Sequence, residues 1–328
     1  MDLELLRERA NIIRHVRMFF DQRDYIETDT PLLAPNLIPE SCLEVFQTLR
    51  LPSGGSVPCP EAEKPYWLIP SPEIWMKRLI AEHRKSLYQI CKCFRNGESS
   101  GRQHSPEFTM LEYYTMQADY RGSLEITEEL FKFLLRSTDN LAGLSPPFIK
   151  LTVEEAFETW AGFSLYDAAE SPGEMEEHAR RLGLDPSPGL SVHEIYDLIF
   201  IHAVEPRIYL EQPVVLMDYP AFVPCLAKKR PDGKTTERWE LYVSGAELAN
   251  CFTEETRAEE VRRFFESEKA AKETAALVRH AVDDNYWKIF AGREPFPPCS
   301  GVAMGLDRLI MVLCGRKTLD GVLPFPME

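Results

Sequence analysis

The chain has 328 residues, 44% of them hydrophobic, and a formal net charge of −15 from 52 acidic and 37 basic residues. This length and composition support a full hydrophobic core, in one large domain or two small ones. Nucleic-acid binders usually present a basic face to phosphates, so the acidic balance weakly disfavours a long nucleic-acid contact and is compatible with a basic protein partner.

The eight cysteines are scattered along the chain, which is typical of reduced cytosolic thiols. Only Cys91 and Cys93 are close together, and their spacing matches no zinc-binding pattern. No apolar run is long enough to span a membrane, and the charged amphipathic N-terminus does not resemble an export signal. We therefore expect a cytoplasmic protein without a membrane partner.

The first predicted element is an amphipathic helix over residues 3–22, followed by a strand-like run over 25–33 that contains Pro31. Residues 52–65 are rich in Pro, Gly and Ser and predict a loop. The alternating pattern of residues 87–95 and 108–116 predicts a long hairpin. Arg95 and Phe108 would then lie on its two arms.

A predicted helix at 123–135 precedes a mostly helical region, residues 146–207, which we interpret as an insertion in a sheet-based catalytic domain. Its predicted helices are 153–160, 173–182 and 192–203. The remaining predicted elements are strands at 213–219 and 238–245, a charged helix at 259–281 and an apolar strand-to-helix unit at 299–313.

Arg95 ends a predicted strand, where a guanidinium fork suits two phosphate oxygens. An exposed hairpin arginine is the simpler interpretation of this residue alone. Glu247 and Glu254 are seven residues apart, so on a regular strand they would point to opposite faces. A bulge or turn near Asn250 would bring both to one Mg²⁺, although two solvated carboxylates remain the alternative.

Residues 301–308 read GVAMGLDR, with small residues at alternate positions. Such a strand face lets a nucleotide or amino acid approach the backbone, and Arg308 would begin a helix within reach of a terminal phosphate. A buried core strand with a surface arginine is the alternative. The arginines, paired acids and glycine-rich strand together favour a site for ATP and Mg²⁺.

These segments resemble motifs 2 and 3 of class II aminoacyl-tRNA synthetases, and the first helix and strand resemble motif 1, which builds the dimer interface in that class. The segments SPEIWMKRL (71–79), FRN (94–96), PEFTMLE (106–112), ELAN (247–250) and GVAMGLDR (301–308) are similar to lysyl-tRNA synthetases. They are more similar to a short paralogous family, the elongation factor P–(R)-β-lysine ligases. The resemblance covers residues 3 to about 313.

The resemblance implies an α+β fold, an antiparallel sheet flanked by helices, with residues 1–328 forming a single catalytic domain. Two features favour the short paralogue. The motif 1 helix begins at residue 3, so we expect no N-terminal OB-fold anticodon-binding domain, and Ala303 stands where the tRNA synthetases have glycine. The implied enzyme is a homodimeric ligase that uses ATP and Mg²⁺ to adenylate (R)-β-lysine and transfers it to a lysine of elongation factor P, with tRNA an unlikely partner.

The resemblance also implies individual roles. The catalytic residues would be Arg95, Glu247, Glu254 and Arg308, with Glu247 and Glu254 holding the metal. The pocket for the lysine-like substrate, whose cationic ends suit carboxylates, would consist of Ser71, Pro72, Glu73, Glu112, Tyr114, Asn250, Glu254 and Ala303. The ATP site would consist of Arg95, Asn96, Glu98, His104, Ser105, Phe108, Glu247, Leu248, Gly305 and Arg308. Among these, Glu98 or its neighbour would contact the adenine edge, His104 the terminal phosphates, and Phe108 the adenine ring.

Three positions depart from the paralogue. Gly97 replaces a glutamate in a loop that is one residue longer, Ser105 replaces an asparagine, and Cys251 replaces a glycine, which would narrow the pocket. Two other functions remain open: a truncated lysyl-tRNA synthetase-like enzyme that charges tRNA with α-lysine, and a non-catalytic regulatory binding module. The retained arginines and acids disfavour the binding module.

Overall fold

The computed structural model describes residues 3–50, 64–97, 101–136, 142–208 and 211–325. The strands within these ranges are β1 (Ile26–Glu27), β2 (Leu33–Ala34), β3 (Gln47–Arg50), β4 (Lys64–Leu68), β5 (Leu87–Phe94), β6 (Glu107–Met116), β7 (Ile149–Thr152), β8 (Val214–Met217), β9 (Arg238–Val243), β10 (Ala246–Thr253) and β11 (Cys299–Gly305). The α-helices are α1 (Leu3–Asp21), α2 (Glu73–His83), α3 (Tyr120–Leu135), α4 (Val153–Trp160), α5 (Leu165–Ala168), α6 (Pro172–Arg181), α7 (Val192–Ile199), α8 (Ala258–Ala275) and α9 (Leu306–Leu313).

The chain forms two compact units. The first comprises Met1–Gln117 together with Glu255–Glu328, and the second comprises Ala118–Glu254. Strands of the first unit follow the order β1-β5-β6-β11, with β1 parallel to β5 and the other neighbours antiparallel. A small second sheet in this unit has the order β2-β4-β3.

The sheet of the first unit has one aromatic face. Helix α1 buries Leu5, Ile12, Val16, Phe19 and Phe20, the apolar stripe expected of an amphipathic helix. The ring centroid of Phe20 lies 4.9 Å from that of Tyr88 on β5 and 4.9 Å from that of Tyr113 on β6. Because strand side chains alternate, the neighbours of Tyr113 on β6 point to the opposite face of the sheet.

The small sheet packs its own apolar cluster of Ala34, Leu37, Val45, Trp67 and Ile69. Helix α8 holds the turn at residues 40–43, which follows β2. Lys272 of this helix donates from Nζ to the carbonyl of Glu40 at 2.8 Å and also to the carbonyl of Leu43. The Glu44 carboxylate accepts the backbone N–H groups of Leu277 and Val278, at 2.8 and 2.9 Å. The segment between β2 and β3 is therefore held by the end of α8.

In the second unit the strand order is β10-β9-β8-β7, with β7 parallel to β8 and the other neighbours antiparallel. Helices α4 to α7 pack an apolar core that includes Phe157, Tyr196 and Ile199 against Val214 and Leu216 of β8. Capping boxes start α4 at Thr152 and α7 at Ser191. A π-helical turn, Phe200–Val204, continues α7.

Most of the predicted elements are confirmed, with three corrections. The run predicted as one strand over residues 25–33 contains two short strands, β1 and β2. Strand β7 lies inside the region predicted as mostly helical, because it pairs with β8 across a long sequence separation. The predicted helix 259–281 ends at Ala275, where Glu44 takes up the next free N–H groups. Most of the predicted loop 52–65 lies outside the described residues.

Among the described residues, no helix is both long enough and apolar enough to cross a membrane.

Candidate active site

One face of the first unit's sheet carries several of the predicted site residues of that unit. On β6 and β11 the directly opposed pairs are Glu112 with Ala303, Tyr114 with Gly301, and Met110 with Gly305. Opposed residues of an antiparallel pair point to the same side of a sheet. Ala303 and Gly305 therefore lie on the same face as Glu112, opposite the Phe20 cluster. Their small side chains leave space above the backbone of β11.

A hydrogen-bond network fixes the acidic part of this face. The Glu112 carboxylate accepts hydrogen bonds from Ser71 Oγ at 2.7 Å and Tyr114 Oη at 2.8 Å. Ser71 Oγ also accepts the backbone N–H of Glu73 at 3.0 Å, so the start of α2 is tied to β6. The Glu73 carboxylate pairs with Lys77 at 2.5 Å, and Lys77 is fully buried. The predicted substrate residues Ser71, Glu73, Glu112 and Tyr114 thus form one cluster, with Pro72 buried at the start of α2.

The environment of Glu112 disfavours its ionised form. It is 3% exposed, and burial, followed by repulsion from Glu73, raises the pKa of its carboxyl to about 7. The hydrogen bonds from Ser71 and Tyr114 and the charge of Lys77 oppose that rise. An ammonium group beside Glu112 would favour the ionised form, so this cluster is suited to a cationic substrate.

Arg95 and Phe108 meet at the end of the β5–β6 hairpin. The Arg95 N–H donates to the carbonyl of Pro106 at 2.9 Å, which extends the strand pairing. The Arg95 guanidinium carbon lies 5.3 Å from the centroid of the Phe108 ring. A cation and an aromatic ring at this spacing suit the phosphate and the base of a nucleotide.

The rest of the predicted ATP loop is mixed. Ser105 is buried, whereas His104 is exposed. The Asn96 backbone N–H donates to the Glu44 carbonyl at 2.9 Å, and its side-chain amide donates to the Val45 carbonyl at 3.3 Å. Asn96 therefore also braces the hairpin against the segment before β3. Glu98 lies outside the described residues.

Arg308 is positioned by a residue that the sequence analysis did not select. Asp307 is 2% exposed, pairs with Arg9 at 2.6 Å and accepts the Thr109 N–H at 2.6 Å. The Arg308 Nε donates to the Gln103 carbonyl at 3.0 Å. Asp307 thus joins the first turn of α9 to α1 and β6. A carboxylate directly before the predicted phosphate arginine was the available indication of this role.

In the second unit, a bulge aligns the predicted metal acids. Glu247 pairs with Tyr242 and Ala249 with Leu241, so the register shifts between Glu247 and Ala249. The extra residue, Leu248, changes the alternation and puts Glu247 on the same strand face as Asn250 and Glu254. The expected bulge or turn near Asn250 is thus present, at Leu248, two residues before it.

Cys251 lies on the other face of β10. It is opposed to Trp239 and is fully buried, whereas Asn250 is opposed to Glu240. Because consecutive strand residues point to opposite faces, the Cys251 thiol points away from the face that carries Asn250 and Glu254. The expectation that Cys251 narrows the pocket is therefore wrong.

Asn250 is oriented by a buried ion pair that the sequence analysis also missed. Arg238 donates from Nε to Asn250 Oδ1 at 3.2 Å and pairs with Glu240 at 2.5 Å. The Glu240 carboxylate also accepts hydrogen bonds from Tyr219 at 2.5 Å and Tyr242 at 2.7 Å. These partners fix the strand face from which the Asn250 amide projects.

The oxygen donors of this face suit Mg²⁺, which prefers carboxylates and substrate phosphates. Within the described ranges, no group of three or more His, Cys, Asp or Glu side chains is arranged to hold a metal ion. Glu247 and Glu254 would hold the ion only together with other oxygens, such as those of ATP. This donor set fits a metal that arrives with its nucleotide.

The raised pKa of Glu112 predicts a pH-dependent stability. In an unfolded chain a glutamate has a pKa of about 4.3, so the folded protein binds this proton more tightly. The stabilisation is present below that pH and is lost as the pH rises through about 7. Glu112→Gln, which keeps the shape and does not titrate, should gain about 3 kcal/mol relative to the wild type between pH 4 and 8.

Urea unfolding of both proteins across this range measures the difference. Glu259→Gln, at an exposed position of α8, is the control and should give a much smaller change. A difference between wild type and Glu112→Gln that stays constant with pH would contradict the assignment.

Comparison with known proteins gives the family. The family described as tRNA synthetases class II (D, K and N) matches residues 3–328. An elongation factor P–(R)-β-lysine ligase of Avibacterium paragallinarum is 33% identical over 327 residues, which cover 99% of this chain and 96% of that protein. The ligase of the same name from Vibrio vulnificus (strain YJ016) is 34% identical over 327 residues, with the same coverage. The one from Haemophilus influenzae (strain PittGG) is 32% identical over 328 residues, covering 100% and 96%.

These matches confirm the resemblance found in the sequence and the expectation of a ligase. The mostly antiparallel strand pairs and the flanking helices confirm the α+β fold class. The individual site roles remain predictions. The chain belongs to the class II tRNA synthetase family of the D, K and N type.

Proposed function

We propose that the chain is an ATP-dependent ligase that adenylates a lysine-like amino acid, (R)-β-lysine, and transfers it to a lysine of elongation factor P. The observation that carries the proposal is the cluster of Ser71, Glu112 and Tyr114 beside Ala303, on the sheet face that continues to Arg95 and Phe108. A cluster suited to a cation and a pair suited to a nucleotide thus lie on one sheet face. The names of the relatives support this acceptor and this amino acid.

In the first step, a carboxylate oxygen of the amino acid attacks the α-phosphorus of ATP, and the bond to pyrophosphate breaks. Arg95 would neutralise the charge that develops on the α-phosphate, and Arg308 would hold the terminal phosphates. Mg²⁺, held by Glu247 and Glu254, supplies further charge neutralisation when bound. Phe108 and the backbone at Gly305 would position the adenosine.

In the second step, the amine of an acceptor lysine attacks the acyl carbon, AMP leaves and the amine loses a proton. Elongation factor P is the acceptor we propose, in the cytoplasm, with tRNA charging as the competing function. The negative net charge of the chain is compatible with a protein acceptor at least as well as with RNA. Conversion of either acceptor is measured directly with labelled amino acid.

Replacement of Arg308 tests the adenylation step. Arg308→Ala should lower Mg²⁺-dependent ATP–pyrophosphate exchange by roughly 10²–10³-fold, since one transition-state phosphate contact is lost. The exchange assay uses the lysine-like amino acid as the stimulating substrate. Arg263→Ala, which removes an exposed arginine of α8, is the matched control and should keep wild-type exchange. Equal exchange in both variants would remove the role assigned to Arg308.

Ala303 tests the choice of amino acid. Its methyl group lies beside Glu112, where it would penalise the α-amino geometry and tolerate the β form. A change of one methyl in a pocket alters discrimination by roughly 10- to 200-fold, so Ala303→Gly should raise α-lysine activation relative to (R)-β-lysine within that range.

Pyrophosphate exchange with each amino acid gives the ratio for both proteins. Ala249→Gly removes the same methyl from β10, on the strand face opposite Glu247, and controls for the loosening of a strand by glycine. An α/β ratio unchanged in Ala303→Gly would show that another residue sets the preference.

We also propose a homodimer built on the motif 1 segment. Several large apolar side chains of this segment are exposed: Leu3, Met18, Ile26 and Leu33. Exposed apolar side chains of this size suit an obligate interface. Light scattering should give twice the chain mass of 37.7 kDa. Ile26→Asp should shift the mass towards one chain, and Ile201→Asp, at an exposed position of the second unit, should not. A single-chain mass for the wild type would exclude the dimer.

A further inference from the structure

A small cavity opens beside the predicted substrate cluster. It has a volume of about 10 Å³ for the centre of a water molecule, and its wall includes Ser71 and Glu73 together with Glu40, Leu37, Ile38 and Ile74. A cavity of this volume has room for about one water-sized group, such as an ammonium. Glu40 is a charged residue of this wall to which neither the sequence motifs nor the preceding roles give a function.

The backbone around Glu40 is held rigidly. Lys272 donates to the carbonyls of Glu40 and Leu43, and the Glu268 carboxylate accepts both the N–H and the Oγ–H of Ser41, at 2.9 and 2.8 Å. Glu268 and Lys272 are one helical turn apart on α8. These contacts use the main chain at Glu40. Within the described ranges, the Glu40 carboxylate itself makes neither a hydrogen bond nor an ion pair.

The environment of the Glu40 carboxylate favours the binding of a cation. Loss of solvent, followed by repulsion from Glu73, raises the pKa of the Glu40 carboxyl to about 7. Arg95 and Lys272 oppose that rise, whereas Glu268 adds to it. Lys272 is committed to two carbonyls, and Arg95 is the proposed partner of the α-phosphate. An ionised carboxylate with so little positive charge around it destabilises the fold unless a bound cation neutralises it.

The end of strand β5 indicates which end of the substrate lies here. The N–H of Phe94, directly before Arg95, donates to the Ile69 carbonyl at 2.9 Å, and the following residues Pro70 and Ser71 line the cavity. Arg95 is the proposed partner of the α-phosphate, which the substrate carboxylate attacks, so we assign this cavity wall to the carboxylate end of the amino acid. The ammonium group at that end is the α-amino group of lysine or the β-amino group of β-lysine.

We propose that the Glu40 carboxylate binds the amino group nearest the substrate carboxylate, next to Glu73, and so makes the enzyme specific for diamino acids. This inference rests on the proposed function and adds a specificity-determining residue to it. It assigns the recognition of this amino group to the turn between β2 and β3, which α8 holds in place.

The test pairs a change in the protein with a change in the ligand. 6-Aminohexanoate is lysine without the amino group next to the carboxylate, and it keeps the terminal amine. Binding of (R)-β-lysine and of 6-aminohexanoate to the full chain is measured by titration calorimetry for wild type and Glu40→Gln. We expect Glu40→Gln to weaken (R)-β-lysine binding by roughly 10- to 100-fold, the range for a hydrogen bond to a charged group, and to leave 6-aminohexanoate binding unchanged.

Glu44→Gln is the matched control. Its carboxylate lies in the same segment but bonds the backbone of Leu277 and Val278, so its replacement disturbs the segment without removing a charge from the cavity wall. This variant should affect both ligands equally. Glu40→Asp, which retains the charge, should keep part of the preference for the diamino acid.

Two outcomes would overturn the role of Glu40 alone: an equal loss for both ligands in Glu40→Gln, or no loss for (R)-β-lysine. Failure of the proposed function looks different, because wild-type protein would then show no pyrophosphate exchange with any lysine-like amino acid and would bind neither ligand. That result would overturn both proposals.

Discussion

The alternation of side chains along strand β6 determines where the candidate site lies. Tyr113 points to the face that α1 covers with Phe20, whereas Glu112 and Tyr114 point to the face that holds the polar cluster. A slip of one residue in the pairing would bury the carboxylate in the aromatic core and expose the tyrosine. The register is fixed from outside the ladder, because Asp307 accepts the Thr109 N–H and Tyr25 bonds Thr115 at 2.6 Å.

The candidate substrate cluster and the cavity beside it contain acids that the folded protein stabilises poorly. Burial and mutual repulsion raise the pKa of both Glu40 and Glu112 to about 7, and Glu73 contributes to both shifts. Close carboxylates that lose solvent destabilise the fold unless they are protonated or neutralised by a cation. A ligand with ammonium groups would remove this cost on binding. In the proposed function, the stability lost to these carboxylates would favour the binding of a cationic substrate, a trade-off that is common at functional sites.

The sequence was sufficient for the features that depend on local patterns. Alternation over residues 87–95 and 108–116 placed Arg95 and Phe108 on the two arms of one hairpin. In the structure the Arg95 guanidinium carbon lies 5.3 Å from the centroid of the Phe108 ring. The small residues Ala303 and Gly305 lie on the predicted open strand face. The bulge was expected only approximately, near Asn250, because a leucine in a strand gives no local indication that the register shifts at Leu248. Glu40 was missed because its environment depends on α8, more than two hundred residues away in sequence.

Three of the proposed ligand-binding residues are held in place in the same way. Each has a charged neighbour with little solvent exposure that fixes its position and does not itself contact the ligand. Asp307, paired with Arg9, holds the turn that carries Arg308. Arg238, paired with Glu240, orients Asn250, and Lys272 holds the main chain at Glu40. Each buried charge costs desolvation energy that its partners only partly repay. Their contribution is geometric, because ligand-binding groups that are already in place lose little conformational freedom when the substrate arrives. A sheet with one well-packed face can tolerate these costs on the other, which explains why the aromatic cluster under α1 and the acidic pocket occupy opposite sides of the same strands.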